Sequence, residues 1–197
     1  MTASLLIAAI VLAAILLLTF LARRLSRRTK PSGLANATIL LIRHSEKPAS
    51  GRELNQAGRT RAQAYARYFT PFRFSGQSLN LDTLIAGADS ERSMRPRLTL
   101  EPLSHTTGLH IDSSFPTTNS RALAKALRKT RYGSAILICW RHNQMASLLT
   151  ALGADADQLL PSGKWPTEVY DWVILLRYTG RGQLTTQQRI QQPNPLP

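Results

Sequence analysis

Four short apolar runs rich in branched side chains recur along the chain: ATILLI at 37–42, LDTLIAGA at 81–88, SAILICW at 134–140 and VYDWVILLRY at 169–178. Their length and flanking Gly or charged residues mark buried strands. Helical stretches stand between them. LNQAGRTRAQAYARYF, residues 54–69, has a 3.6-residue period, with Arg59, Arg61 and Arg67 on its solvated side and Pro71 as its stop. Leu98 to Thr107 is predicted helical, and LHID after it short and extended. SRALAKALRKTRYG begins at a Ser cap and stops at Gly133, and NQMASLLTALG ends at Gly153. Strands alternating with helices imply an α/β fold, a three-layer α/β/α sandwich around a mostly parallel sheet. At 43% apolar residues the chain has the material for such a core.

A different segment precedes this domain. Leu5 to Ala22 reads LLIAAIVLAAILLLTFLA and carries no charge. At about 1.5 Å per residue a helix of that length just crosses a hydrocarbon layer of about 30 Å. A cleaved signal peptide needs positive charge before its apolar run. Here the positive charge follows, as Arg23, Arg24, Arg27, Arg28 and Lys30. The expectation is a single-pass membrane anchor with the domain on the cytoplasmic side, where basic flanks remain. The predicted organisation is an anchor at 1–22, a basic juxtamembrane linker at 23–36, the α/β domain at 37–180 and a disordered tail at 181–197.

Those five cations are part of a net charge of +14, and the remaining +9 falls on the rest of the chain. Such a surplus implies anionic company: phosphorylated substrates, lipid headgroups or nucleic acid. With no aromatic RNA-binding motif and no zinc-finger spacing, nucleic acid is not expected as a partner. The single Cys139 rules out an internal disulfide, and no His/Cys cluster has metal-ligand spacing, so no metal and no cofactor is expected.

The chemistry collects at strand ends. The run ILLI passes into Arg43-His44, and ILICW into Arg141-His142. In open α/β sheets ligands bind beyond the carboxyl ends of the strands. A neutral imidazole is a nucleophile, and its attack on phosphorus splits a hard hydrolysis into two easier steps. Guanidinium forks suit the charge that spreads over a transferring phosphoryl group. Each piece alone has a plainer reading: a capping histidine, an ion-paired turn with Arg43 on Glu46, a basic loop in ERSMRPR.

In combination and order, these segments resemble the histidine phosphatase superfamily, also called phosphoglycerate mutase-like, over roughly residues 37–178. LLIRHSEKP is similar to its strand-to-loop signature, and LNQAGRTRAQAYARYF to its Leu-x-x-x-Gly helix. SMRPRLTLEPLSHTTGL resembles the segment in which an arginine precedes a threonine by four residues, here Arg95 and Thr99. ILICWRHNQMASLLTALG is similar to the segment of the second histidine. The resemblance implies a metal-independent phosphatase acting on a phosphomonoester or phosphoramidate, with His44 as the phosphorylated nucleophile and Arg43, Arg95 and His142 binding the phosphoryl group. Glu46 and Lys47 would stand at the pocket mouth. Asn143 would orient substrate or cap the next helix. The expected partners are a phosphorylated small molecule, a lipid-linked phosphate or a phosphoprotein.

One element of the family pattern is missing. Members usually supply a carboxylic acid to protonate the leaving oxygen, in one branch directly after the second histidine. Asn143 holds that place, and the only carboxylates between Arg95 and His142 are Glu101 and Asp112. Since general acid help is typically worth about 10²–10⁴-fold, the gap implies an easily leaving substrate, such as phosphohistidine, or a weak pseudophosphatase that binds phosphorylated ligands at the membrane. Glu46 is a further candidate for the acid.

Overall fold

The computed structural model describes Ile15, Thr19 and residues 32–196. The chain divides into two units, Met1–Pro31 and Ser32–Pro197. The membrane anchor expected at 1–22 lies outside the described residues apart from Ile15 and Thr19. Among the described residues no helix is long and apolar enough to cross a membrane.

In the second unit six strands form one sheet in the order β5-β4-β6-β1-β7-β8. They are β1 (Thr38–Arg43), β4 (Thr83–Gly87), β5 (Ile111–Phe115), β6 (Ala135–Trp140), β7 (Trp172–Tyr178) and β8 (Leu184–Gln191). The first four are parallel to one another, β7 pairs antiparallel with β1, and β8 pairs antiparallel with β7. A small hairpin, β2 (Phe72–Phe74) and β3 (Gln77–Leu79), stands apart and sends Phe72 into the core.

Alternation along the strands builds the three layers, because successive side chains point to opposite faces. Ile39, Leu41, Ile136, Ile138, Ile174 and Leu176 share one core. It is covered by α3 (Ser120–Lys129) and α4 (Met145–Leu152) through Leu123, Leu127, Leu148 and Leu149. Leu40, Ile42, Leu137, Cys139, Val173 and Leu175 share the other. There α1 (Gln56–Tyr68) contributes Tyr65, and α2 (Arg95–Thr107) contributes Leu100 and Leu103. A four-residue α5 (Ala156–Leu159) completes the chain order. The central strands are apolar on both faces because both faces are covered.

Two expectations need correction. Residues 184–191 are not a disordered tail: they form β8, hydrogen-bonded along the whole of β7. Their alternating polar pattern hid the strand, since β8 is an edge strand with largely exposed residues. The described part of the expected linker, residues 32–36, belongs to the domain. Leu34 is fully buried, and the Gly33 N–H donates to the Arg128 carbonyl at 2.8 Å.

Candidate active site

The parallel pairing of β1 with β6 sets the site. Arg43 and Trp140 are register partners, and the His44 N–H continues the ladder to the Trp140 carbonyl at 3.0 Å. The residues that follow each strand therefore emerge side by side. The His44 and His142 rings meet edge to face, with centroids 6.1 Å apart.

His44 is 3% exposed. Its Nδ1 lies 2.8 Å from the carbonyl of Ser45. A carbonyl only accepts, so Nδ1 carries the proton and Nε2 keeps its lone pair. Burial, with the nearby Arg43 and Arg95 charges, pushes its pKa down to about 3, against a smaller opposing effect of the Ser45 carbonyl. The ring is therefore neutral at physiological pH, as a nucleophile must be.

His142 has the complementary arrangement. Its Nδ1 lies 3.4 Å from Nη2 of Arg43. A guanidinium only donates, so Nδ1 accepts and the proton sits on Nε2, where it serves as a donor. Burial, then Arg43, Arg141, Lys47 and Arg95, pushes this pKa down to about 4.

Arg43 is buried at the end of β1 with 1% exposure. Nη1 donates to the carbonyls of Pro166 (3.2 Å), Thr167 (2.5 Å) and Val169 (3.0 Å). The Tyr170 ring lies 3.8 Å below the guanidinium carbon, a cation–π contact. Arg95 opens α2. Its Nη1 donates to the Gly51 carbonyl at 3.0 Å, and Nη2 to that of Arg92 at 3.4 Å. Among the described residues the Nε–H groups of both arginines are buried without a partner. A phosphate oxygen is the acceptor that suits such donors.

Thr99 ties the loop to the helix. Its hydroxyl donates to the Arg95 carbonyl at 2.8 Å and accepts from the Ser45 N–H at 2.9 Å. This contact fixes the Ser45 backbone, whose carbonyl sets the His44 tautomer.

The remaining expected residues are placed differently. Glu46 does not pair with Arg43. Arg61 on α1 grips it in a bidentate ion pair of 2.7–3.1 Å. Arg61 is thus half-buried beside the site rather than on a solvated face, and both Glu46 carboxylate oxygens are engaged by it. Lys47 is exposed at the mouth, close enough to act on His142. Asn143 is exposed in a single 3-10 turn, and the helix that follows has no side-chain cap. Glu101 pairs with Arg97, and Asp112 accepts from the N–H and hydroxyl of Ser114. The charges that chiefly act on His44 and His142 are all cationic.

Sequence reasoning did not find the 166–170 loop or Tyr170. Their role depends on backbone carbonyls and one aromatic face more than 120 residues from Arg43, and neither leaves a pattern in the chain. Arg141 was visible beside His142 but had no assigned role. It is half-buried, and its charge lowers the pKa of both Arg95 and His142.

No protein-family model matches the chain, and no curated protein is similar to it. Solved structures are. The SixA protein of Agrobacterium tumefaciens, assigned as a phosphohistidine phosphatase, aligns over 78% of this chain and 98% of its own, with a TM-score of 0.52 and 18% identity. A mycobacterial glucosyl-3-phosphoglycerate phosphatase, solved with inorganic phosphate, covers 79% of this chain and 96% of its own (TM-score 0.52, 15% identity). An Escherichia coli K-12 protein assigned as an α-ribazole-5′-phosphate phosphatase covers 82% and 99% (TM-score 0.54, 12% identity). These neighbours are members of the histidine phosphatase superfamily. At this identity the likeness is one of fold: the domain has the phosphoglycerate mutase-like fold of that superfamily.

Proposed function

We propose that the chain is a phosphatase working through a phosphohistidine on His44. Nε2 attacks phosphorus and forms the N–P bond as the bond from phosphorus to the leaving group breaks. Water then attacks phosphorus, the N–P bond breaks, and phosphate leaves with Nε2 regenerated. Arg43, Arg95 and the Nε2–H of His142 hold the equatorial oxygens, whose charge grows toward the transition state. The observation that carries this reading is the pair of opposed tautomers: Ser45 frees the lone pair of one imidazole, and Arg43 turns the other into a donor.

The choice of substrate follows from the missing acid. Glu46 is held by Arg61, and Glu101 and Asp112 are engaged elsewhere, so none of the three carboxylates offered by the sequence as the acid is set to protonate a poor leaving group. A phosphoramidate such as phosphohistidine leaves more readily than an alkyl ester, so this class fits best. The reading includes a single-pass anchor at 1–22 with the domain in the cytoplasm, supported by the apolar run and the basic residues after it.

The test uses the full chain in detergent with chelator present, an aryl phosphate carrying labelled phosphorus, and the His44→Ala variant beside it. Turnover with label trapped on His44 by rapid quench, both lost in the variant, is the expected result. Turnover that survives in the variant refutes the mechanism. Phosphate binding without turnover or label establishes instead a pseudophosphatase.

A further inference from the structure

The phosphoryl site has a neighbour that its proposed chemistry does not use. Beyond the ends of β4 and β6 lies a small cavity of about 120 Å³, bordered by Arg141, Ser90, Ser93, Thr117, Thr118 and Asp89. Gly87 allows the close packing that shapes it: a Cβ there would stand 2.2 Å from Cγ2 of Thr117. Two residues of the cavity wall connect directly to residues of the phosphoryl site. Arg141 directly precedes His142, and the Ser93 hydroxyl accepts from the Arg95 N–H at 3.3 Å.

Arg141 stands out among the arginines here. Arg43 and Arg95 are held by carbonyls, Arg61 by Glu46, and Arg97 by Asp89 and Glu101. Among the described residues Arg141 is half-buried; its backbone carbonyl accepts from the Gln144 N–H at 2.9 Å, but its guanidinium makes no hydrogen bond or ion pair. An unpaired guanidinium at a cavity wall is free to take an anionic partner. The one carboxylate in the cavity wall, Asp89, already accepts from Nε of Arg97 at 2.9 Å, so it neither satisfies Arg141 nor strongly opposes an incoming anion. The hydroxyls of the wall add neutral donors.

We infer that Arg141 and these hydroxyls form a subsite for a second anionic group of the substrate, a carboxylate or phosphate a few bonds from the transferring phosphoryl group. The volume admits a group of that size. This inference rests on the phosphoryl-site reading and narrows it: the preferred substrate is a compact bis-anion. Arg141 discriminates between substrates and takes no part in the covalent steps.

The test compares equilibrium binding of methylphosphonate with that of alkylene bisphosphonates bearing one, two or three methylenes, by titration calorimetry on the full chain in detergent. A charge-assisted contact implies that at least one bisphosphonate binds about tenfold or more tightly than methylphosphonate. In Arg141→Met that preference falls to about the statistical factor for two equivalent ends. Methylphosphonate binding with no preference in the wild type overturns the subsite alone. A preference that persists in Arg141→Met also overturns it. Absence of binding by every probe overturns the subsite together with the phosphoryl-site reading.

Discussion

Replacing Thr99 by Val separates the role of one hydroxyl from that of the space it fills. Thr99 and Ser45 are both fully buried, and the Ser45 N–H has the Thr99 hydroxyl as its acceptor at 2.9 Å. Val has nearly the same shape and no acceptor, so the substitution leaves a buried N–H unpaired. That costs about 1–3 kcal/mol. For a domain of this size each kcal/mol lowers Tm by about 2–4 °C, so a fall of roughly 2–12 °C is expected. Thr99→Ser keeps the acceptor and gives up one buried methyl, about 0.8 kcal/mol. Activity should separate the two variants further. Without the bond, the Ser45 backbone is free to move its carbonyl away from His44 Nδ1, so kcat falls in the Val variant and is retained in the Ser variant. Scanning fluorimetry and aryl phosphate kinetics on both proteins provide the check. A Val variant with wild-type Tm and kcat, beside a weaker Ser variant, would refute the reasoning.

Two further predictions concern the same loop. Gly58→Ala puts a methyl 2.4 Å from the Glu46 carbonyl oxygen and 2.9 Å from its nitrogen. Backbone cannot rotate away, so overpacking of about 1–3 kcal/mol outweighs a helix-propensity gain of about 1 kcal/mol. Tm should fall and KM rise as the loop shifts; an unchanged Tm would show that the loop yields freely. For pH, His44 and His142 are held down at about 3 and about 4 against an ordinary 6.5. The unfolded chain then binds more protons than the native one below about pH 6.5, so stability falls with pH from there and levels off once both native rings are protonated. In NMR titrations neither ring signal should move between pH 5 and 8; a midpoint near 6.5 for either would overturn the account of its burial.

The local chemistry was legible because it is written in contiguous residues. The run ATILLI followed at once by Arg43-His44 fixes a buried strand and what it delivers, and AILICW does the same for Arg141-His142. Periodicity located α1, α3 and α4 for the same reason, since a buried helix face repeats within a few residues. Thr99 was found only as part of a spaced motif, not from its own surroundings. The ion pair of Glu46 with Arg61 was not legible because Arg61 lies one helix away, where sequence distance says nothing of ion pairing. The strand β8 was missed because an edge strand keeps its polar residues in water.

The sequence by itself determined the kind of fold, the two strand ends and the residue types gathered there. Tertiary structure alone decided which atoms of these residues meet. The Ser45 carbonyl selects the His44 tautomer, Arg43 selects that of His142, and Arg61 takes up both oxygens of Glu46. Tautomer and charge state depend on partners within about 3 Å, and long-range folding chooses those partners. This is why Arg141, adjacent to His142 in the chain and plainly visible there, had no role until the cavity beside it was seen.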